Sequence, residues 1–242
     1  MFLHGWGLNR DSLRGIAILF QHAFRVHLID LPGFGDAPAP PPDWDTSKYA
    51  DLVQQYLTER ASGSVILVGH SFGGRVSLRL AARRSTQIGG AVLLAVPGLP
   101  SQGWSRARQK RAGIRLLRRL LHLLRPLTGP SLLEWHTRRY ASRDYVEAGA
   151  LRPILVRTVN EDLTESARLS TCPFLLVYGT DDTETPAWLG GRYRELMGAR
   201  ASLELLPHKD HHLYAATGAH LCAYRIRRWL ESLDVGESHA VR

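Results

Sequence analysis

A five-residue segment, GHSFG at residues 69–73, constrains the fold of this 242-residue chain more than any other feature. It follows an apolar run rich in β-branched residues, residues 64–68, and precedes a segment in which apolar residues recur at helical spacing. This order predicts a buried strand, a sharp turn that contains Ser71, and a helix. A turn this sharp needs small residues on both sides of the serine, and Gly69 and Gly73 supply them. The pattern is typical of a nucleophile elbow, although a strand-to-helix turn with incidental glycines would share it.

A catalytic serine requires partners, because an unactivated hydroxyl is a poor nucleophile at neutral pH. It needs a histidine base, a carboxylate that orients the histidine, and N–H donors for the developing oxyanion. Candidates for the acid and the base lie further along the chain, in the expected order. The loop after an apolar run at residues 174–178 contains two carboxylates, Asp181 and Asp182. The loop after a second apolar run, residues 202–206, contains three histidines, His208, His211 and His212.

The oxyanion donors are predicted near the start of the chain. The sequence HGWG at residues 4–7 follows a short apolar segment, residues 1–3. A glycine-flanked turn at the end of a strand can direct a backbone N–H into a site at the sheet edge. We therefore expect the backbone N–H groups of Trp6 and Phe72 to form an oxyanion hole.

Together, these motifs resemble the α/β-hydrolase superfamily, from Met1 to about Leu233. The matching segments are HGWG at residues 4–7, DLPGFG at 30–35, GHSFGG at 69–74, the loop at 179–186 and the histidine loop. The resemblance implies an α/β fold, with a mostly parallel sheet flanked by helices and a helical lid inserted between two core strands.

The resemblance also selects among the candidate residues. In the superfamily the acid lies three residues past the glycine that ends its strand and four before a proline, which selects Asp182 and leaves Asp181 as the fallback. The histidine lies about ten residues before an apolar position in the closing helix. Leu221 occupies that position relative to His211, so His211 is the favoured base.

The histidine loop has a second interpretation as a metal site. His208, Asp210, His211 and His212 carry the imidazole and carboxylate groups that bind divalent cations. No second group of ligands with metal-site spacing occurs elsewhere in the sequence. The triad is therefore the favoured interpretation, and we expect neither a metal nor a cofactor.

Length and composition agree with one catalytic domain, since 242 residues with 44% hydrophobic content can bury a full core. The apolar runs are far shorter than the ~18 residues that a membrane span needs. The two cysteines, Cys172 and Cys222, are too few for a disulfide framework, and free thiols suit a reducing compartment. We therefore expect a cytoplasmic protein.

Strand-like and helical segments alternate along the chain, which predicts a parallel sheet covered on both faces. A helix that Thr46 or Ser47 would cap is predicted to end at Arg60. The predicted strands are residues 25–30, 64–68, 91–96, 174–178 and 202–206.

The chain departs from the superfamily pattern at its start. Members have two antiparallel strands and most of a third before the His-Gly turn, whereas this sequence has only three residues before His4. We therefore expect the amino-terminal strands to be missing, either because the fold tolerates their loss or because the sequence is a fragment. An exposed strand edge would then favour association.

Positive charge is concentrated in one segment, residues 101–143, which contains eleven basic residues and one acidic residue. The remaining chain has 20 basic and 21 acidic residues and is nearly neutral. We expect a helical basic lid at residues 100–170 between two parts of the core, 1–99 and 171–235, with a tail at 236–242. Within this lid an amphipathic helix is predicted, with Arg115, Arg118 and Arg119 off its apolar stripe.

Three explanations compete for the basic helix. Its arginines could simply face water while its apolar stripe covers the active site. They could bind an anionic membrane surface. They could also dock an acidic protein partner by complementary charge. Nucleic acid is a poor candidate, because no recognised nucleic-acid-binding motif accompanies the charge.

The first 35 residues and the catalytic loops resemble one group of hydrolases more closely, the pimeloyl-carrier-protein methyl ester esterases of biotin synthesis. The resemblance implies that lid arginines hold an acidic acyl carrier protein. We therefore predict a serine hydrolase that cleaves a small-molecule or carrier-bound carboxylic ester. Ser71, His211 and Asp182 could also catalyse carbon–carbon bond hydrolysis or perhydrolysis. Alternatively, the chain could be a binding protein without catalytic activity on a hydrolase scaffold.

Overall fold

The computed structural model describes residues 1–100 and 143–239. Within these ranges the chain forms one sheet of six parallel strands with helices packed on both faces. The predicted basic helix, with Arg115, Arg118 and Arg119, lies outside the described residues.

The strands are β1 (Phe2–Leu3), β2 (Leu28–Ile29), β3 (Val65–His70), β4 (Ile88–Leu94), β5 (Phe174–Gly179) and β6 (Ala201–Leu206). Across the sheet they lie in the order β2-β1-β3-β4-β5-β6, and each neighbouring pair of the described strands is parallel. Strands β3 to β5 are almost continuous apolar runs, as expected for parallel strands that are buried on both faces. All five predicted strands are present, but β2 contains only two residues of the predicted segment 25–30.

The helices in the described ranges are α1 (Arg14–Ala17), α2 (Thr46–Arg60), α3 (Phe72–Ala81), α4 (Arg143–Glu147), α5 (Arg152–Asn160), α6 (Thr164–Leu169), α7 (Trp188–Met197) and α8 (Gly218–His239). Short 3₁₀ turns lie at Arg10–Leu13, Ile18–Phe20, Gly149–Leu151 and Gly198–Arg200. In the described ranges, at least one helix lies between each strand and the next strand along the chain. Parallel neighbours require such long connections.

Two apolar layers cover the two faces of the sheet, because successive side chains of a strand point to opposite faces. Leu67 lies in the layer formed with α2, α3, α6 and α7. Its neighbour Val68 lies in the other layer, which contains residues of α1 and α8. The candidate catalytic residues follow the carboxyl ends of three strands of this sheet: Ser71 follows β3, Asp182 follows β5 and His211 follows β6.

The predicted cap of helix α2 is wrong. Asp45 caps the helix, and its carboxylate accepts hydrogen bonds from the backbone N–H groups of Ser47, at 3.0 Å, and Lys48, at 3.1 Å. The backbone N–H of Thr46 instead donates to the carboxylate of Glu161, at 2.9 Å, and its hydroxyl donates to the same group. Thr46, which the local sequence pattern predicted as a cap, thus binds the distant residue Glu161 instead.

The last part of the predicted lid segment packs onto the core. Ile154 of α5 and Ala167 of α6 are buried in the same apolar layer as Leu67. The buried guanidinium of Arg75 in α3 donates to the carbonyl oxygen of Thr158, at 2.8 Å. Helix α5 is therefore tied directly to the helix that follows the predicted elbow.

Within the described part of the chain, no helix combines the length and the apolar composition that a membrane crossing needs. Both cysteines are buried free thiols. Burial raises the pKa of Cys172 to about 11 and that of Cys222 to about 12.

Candidate active site

Ser71 lies between β3 and α3 in a strained backbone conformation, with φ of 47° and ψ of −107°. Non-glycine residues seldom adopt a positive φ, and they keep it only where the surrounding structure fixes it. Here the Ser71 N–H donates to the carbonyl oxygen of Leu94, at 2.9 Å, and the Ser71 carbonyl accepts from the N–H of Arg75, at 3.1 Å. The serine is thus held in a sharp strand-to-helix turn, as the sequence predicts.

The glycines of the turn are required by close approach. A Cβ atom at position 73 would lie 2.1 Å from the carbonyl oxygen of Leu3, and one at position 69 would lie 2.5 Å from the hydroxyl of Ser77. The N–H of Gly73 also donates to the carbonyl oxygen of His4, at 3.0 Å. The turn at residue 71 and the HGWG turn are therefore packed backbone to backbone.

The residues predicted to form the oxyanion hole lie side by side. The rings of Trp6 and Phe72 pack edge to face with their centroids 5.3 Å apart, and Phe34 contacts both rings. Among the described residues, neither the Trp6 N–H nor the Phe72 N–H donates to a protein acceptor. Their role as oxyanion donors therefore stays a prediction.

His4 fixes the HGWG turn rather than joining the site. Its Nε2 accepts from the backbone N–H of Leu31, at 3.0 Å, so the proton lies on Nδ1, which donates to the carbonyl oxygen of Gly5, at 2.8 Å. Burial lowers the pKa of His4, which keeps the ring neutral in this arrangement. The turn that carries Trp6 is thereby held against the segment DLPGFG.

Asp182 and His211 form a buried hydrogen-bonded pair, with 2.9 Å between Asp182 Oδ2 and His211 Nδ1. Asp182 Oδ1 accepts the backbone N–H groups of Glu184, at 2.8 Å, and Thr185, at 2.7 Å. The Thr185 hydroxyl donates to Oδ2 and lies 3.0 Å from His211 Nδ1. Burial alone would raise the pKa of Asp182, but the bonds from His211 and Thr185 outweigh it and lower the pKa. Asp182 is therefore held as a carboxylate.

The environment of His211 favours its protonated form. Burial acts to lower its pKa, but the hydrogen bond and charge of Asp182 act in the opposite direction, with smaller contributions from Glu184 and Asp144. The pKa of His211 consequently lies above its ordinary value of 6.5. The Glu184 carboxylate is 3.9 Å from His211 Nε2, the nitrogen that does not contact Asp182.

The alternative acid and base lie at the surface. Asp181 and His208 face each other at 3.8 Å, and both side chains are more than half exposed. The ring of His212 is also exposed, and its backbone N–H donates to Asp210, at 3.0 Å. In the described ranges, no group of three or more His, Cys, Asp or Glu side chains is arranged to hold a metal ion.

His70 connects the serine turn to the histidine loop. It precedes Ser71 in the chain, and its Nε2 lies 3.0 Å from the carbonyl oxygen of His211. The rings of His70 and His211 are 4.8 Å apart. The structure therefore brings the loop that carries His211, in its pair with Asp182, next to the turn that carries Ser71.

Sequence reasoning missed Thr185 and His70. Thr185 had a local signal, because an aspartate commonly accepts the N–H groups of residues two and three positions later. His70 had none, since its partner lies 141 residues away in the sequence.

The chain matches the sequence model of the alpha/beta hydrolase family over residues 1–220. It belongs to this family. The match extends over the serine turn, the aspartate loop and the histidine loop of this α/β-hydrolase.

Three known proteins are similar to this α/β-hydrolase. The pimeloyl-[acyl-carrier protein] methyl ester esterase of Chromobacterium violaceum is 29% identical over 206 residues, which cover 78% of each protein. The protein of the same name from Photorhabdus laumondii is 36% identical over 95 residues, and this match spans only 34% of that relative's length and 39% of the chain. A thermophilic esterase from Thermogutta terrifontis has the same fold, with a TM-score of 0.68 at 20% identity over 96% of the chain and 88% of the esterase.

Proposed function

We propose that this α/β-hydrolase is a serine esterase that cleaves a carboxylic ester through an acyl-enzyme on Ser71. The observation that carries the proposal is the buried His211–Asp182 pair, 2.9 Å apart, next to a serine held at positive φ. A strained serine and a buried histidine–carboxylate pair both cost stability, so their presence together favours a catalytic role over a purely structural one.

The proposed reaction begins when Ser71 Oγ attacks the ester carbonyl carbon and His211 Nε2 accepts its proton. The oxyanion that forms accepts hydrogen bonds from the N–H groups of Trp6 and Phe72. When the intermediate collapses, the C–O bond breaks and His211 returns the proton to the departing alcohol. A water molecule then attacks the acyl-enzyme, with His211 again as the base, and releases the carboxylic acid and free Ser71.

Asp182 makes this proton transfer possible through His211 Nδ1. The carboxylate accepts a hydrogen bond from Nδ1–H and keeps that proton on Nδ1, so the neutral ring presents an unprotonated Nε2 to the serine. The same carboxylate stabilises the imidazolium that forms after transfer. Burial acts to lower the pKa of His211, but Asp182 outweighs it and raises the pKa, so His211 is a stronger base toward the serine proton than an ordinary histidine.

For the substrate, we propose a carrier-bound acyl ester. The support is the relative from Chromobacterium violaceum, a pimeloyl-[acyl-carrier protein] methyl ester esterase. An acidic carrier protein would dock on Arg115, Arg118 and Arg119, since excess positive charge guides and orients an acidic partner. A cytoplasmic location accords with this partner and with the two buried free thiols.

A fluorophosphonate probe tests the serine mechanism, because only an activated serine reacts with it. We expect the wild type to be labelled at Ser71 and Ser71→Ala to remain unlabelled. Hydrolysis of a small neutral ester should disappear with the labelling. A folded wild-type protein without labelling or ester hydrolysis would overturn the proposal in favour of a binding protein. Labelling without ester hydrolysis would refute the esterase activity and favour carbon–carbon bond hydrolysis or perhydrolysis by the same serine.

A further inference from the structure

His70 is a buried polar residue for which the proposed mechanism has no use. It is the last residue of β3, is 1% exposed and lies directly before Ser71. Its ring contacts two residues of the segment that leads into α8. Nε2 lies 3.0 Å from the carbonyl oxygen of His211, and Nδ1 lies 3.3 Å from the hydroxyl of Tyr214.

These contacts define which ring nitrogen carries the proton. A carbonyl oxygen only accepts, so Nε2 of His70 donates to His211, and Nδ1 of the neutral ring accepts from the Tyr214 hydroxyl. Burial lowers the pKa of His70 well below its ordinary range, and the charge on His211 lowers it further. Among the described residues, His212 also lowers the pKa of His70 and Asp182 raises it. The ring therefore stays neutral, with both nitrogens hydrogen-bonded.

The geometry assigns His70 as the positioning residue that fixes the backbone of His211 relative to Ser71. Asp182 restrains the ring of His211 at Nδ1, but a ring restrained at one point still follows any shift of its own backbone. The hydrogen bond from His70 removes that freedom. It runs from the residue next to the nucleophile to the residue that carries the base, so the two reacting groups keep one spacing.

Tyr214 acts through His70 in this arrangement. Its hydroxyl bonds to Nδ1, which keeps the His70 proton on the nitrogen that faces His211. Misplacing reacting groups by about 1 Å can reduce a rate about 100-fold, so a contact of this kind affects catalysis without touching the substrate. This inference rests on the proposed serine esterase function.

The first test compares His70→Phe, which keeps a ring but removes both nitrogens, with His70→Gln, which restores an N–H donor near the position of Nε2. For hydrolysis of a small neutral ester, we expect His70→Phe to lower kcat about 30- to 100-fold while KM changes less than about twofold. His70→Gln should recover activity to within about fivefold of the wild type. His212→Phe is the matched control, because His212 also packs against His70 but makes no hydrogen bond to it. It should stay within about twofold of the wild type.

The second test is a double-mutant cycle with Tyr214→Phe. If Tyr214 acts through His70, Tyr214→Phe alone lowers kcat several-fold, and the double variant His70→Phe/Tyr214→Phe is no slower than His70→Phe. Equal losses in His70→Phe and His70→Gln, or losses that multiply in the double variant, would overturn the positioning role. Unchanged kcat in His70→Phe would do the same. If His70→Phe does not fold, His70→Gln and Tyr214→Phe are compared with the wild type, and full activity in both refutes the proposal.

The third test does not depend on activity. In protein labelled with ¹⁵N-histidine, the Nδ1–H resonance of His211, identified by its loss in His211→Gln, reports its bond to Asp182. We expect His70→Phe to speed exchange of this proton with solvent and His212→Phe to leave it unchanged. An unchanged resonance in His70→Phe would contradict the inference. A wild type that neither hydrolyses esters nor reacts with fluorophosphonate would defeat the proposed function, while this resonance would still decide whether His70 holds His211.

Discussion

Asp182→Asn separates the catalytic role of the carboxylate from its structural role. Asp182 Oδ1 accepts two backbone N–H groups, from Glu184 at 2.8 Å and from Thr185 at 2.7 Å. Oδ2 accepts the Thr185 hydroxyl and the Nδ1 proton of His211. Asparagine replaces one of these two oxygens with an NH₂ donor. Either the two backbone N–H groups or the Thr185 hydroxyl and His211 Nδ1–H must then lose their acceptor.

The backbone N–H groups decide which way the amide turns. Each buried donor left without a partner costs about 1–3 kcal/mol, and the two backbone donors cannot rotate away. The oxygen of the introduced amide therefore takes the place of Oδ1, and its NH₂ group faces His211. His211 Nδ1 must then accept a hydrogen bond, which moves the ring proton to Nε2. In that tautomer His211 cannot take a proton from Ser71.

We therefore expect Asp182→Asn to lower turnover about 10⁴-fold, as the wrong tautomer does in serine triads, which corresponds to about 5 kcal/mol of barrier. The free energy of unfolding should fall by only about 1–3 kcal/mol, because the two backbone hydrogen bonds persist. Steady-state hydrolysis of a small ester and urea unfolding measure the two quantities. The ¹⁵N shifts of His211 report the tautomer directly.

Asp181→Asn is the matched control, since Asp181 is exposed, accepts a hydrogen bond from the Thr180 hydroxyl, at 2.9 Å, and faces His208. Its turnover should stay within about twofold of the wild type. The reasoning would be refuted if Asp182→Asn kept turnover within tenfold of the wild type. A larger loss in Asp181→Asn than in Asp182→Asn would move the acid role to Asp181.

Ser71→Ala should abolish ester hydrolysis and leave the free energy of unfolding within about 1 kcal/mol of the wild type, as measured by urea unfolding, because the hydroxyl adds little packing. Since His211 must be neutral to act as a base, kcat/KM should fall as the pH drops through its raised pKa. Glu184→Gln removes a charge that raises this pKa, so the fall of kcat/KM on the acid side of the pH profile should move to lower pH. An unchanged pH profile would show that Glu184 does not raise the pKa of His211. The basic lid is tested by three glutamine substitutions, at Arg115, Arg118 and Arg119. These substitutions should raise KM for a carrier-bound ester but not for a small ester, and 1 M salt, with a Debye length of about 3 Å, should have the same effect. Equal losses of activity on both substrates would contradict carrier docking. Binding of the wild type to anionic vesicles would favour a membrane role.

The sequence was most informative where a short segment determines its own geometry. The serine turn could be predicted because the glycines at 69 and 73, the preceding apolar run and the following helical pattern all concern neighbouring residues. The choice of Asp182 over Asp181 needed the spacing to Pro186, and the structure buries Asp182 while exposing Asp181. The strand at residues 25–30 was overestimated, because only Leu28 and Ile29 pair with β1.

Contacts between distant segments could not be predicted from local patterns. Thr46 looks like a helix cap, but it binds Glu161, which is 115 residues away. No local sequence signal marks His70, because its hydrogen bond to the backbone of His211 depends on the order of strands in the sheet. Such contacts require the fold itself, because two residues meet only after β3 and the histidine loop have been placed at the same sheet edge.

The two cysteines make it possible to follow the opening of each side of the sheet separately. Cys172 is buried in the layer that contains α2 and α3, whereas Cys222 is buried in the opposite layer, with α1 and α8. Their raised pKa values leave almost no thiolate in the native state, so an alkylating reagent reacts only after local or global unfolding. The two labelling rates therefore report two opening free energies. Equal values would mean that both layers unfold as one cooperative unit, and unequal values would identify the layer that opens first.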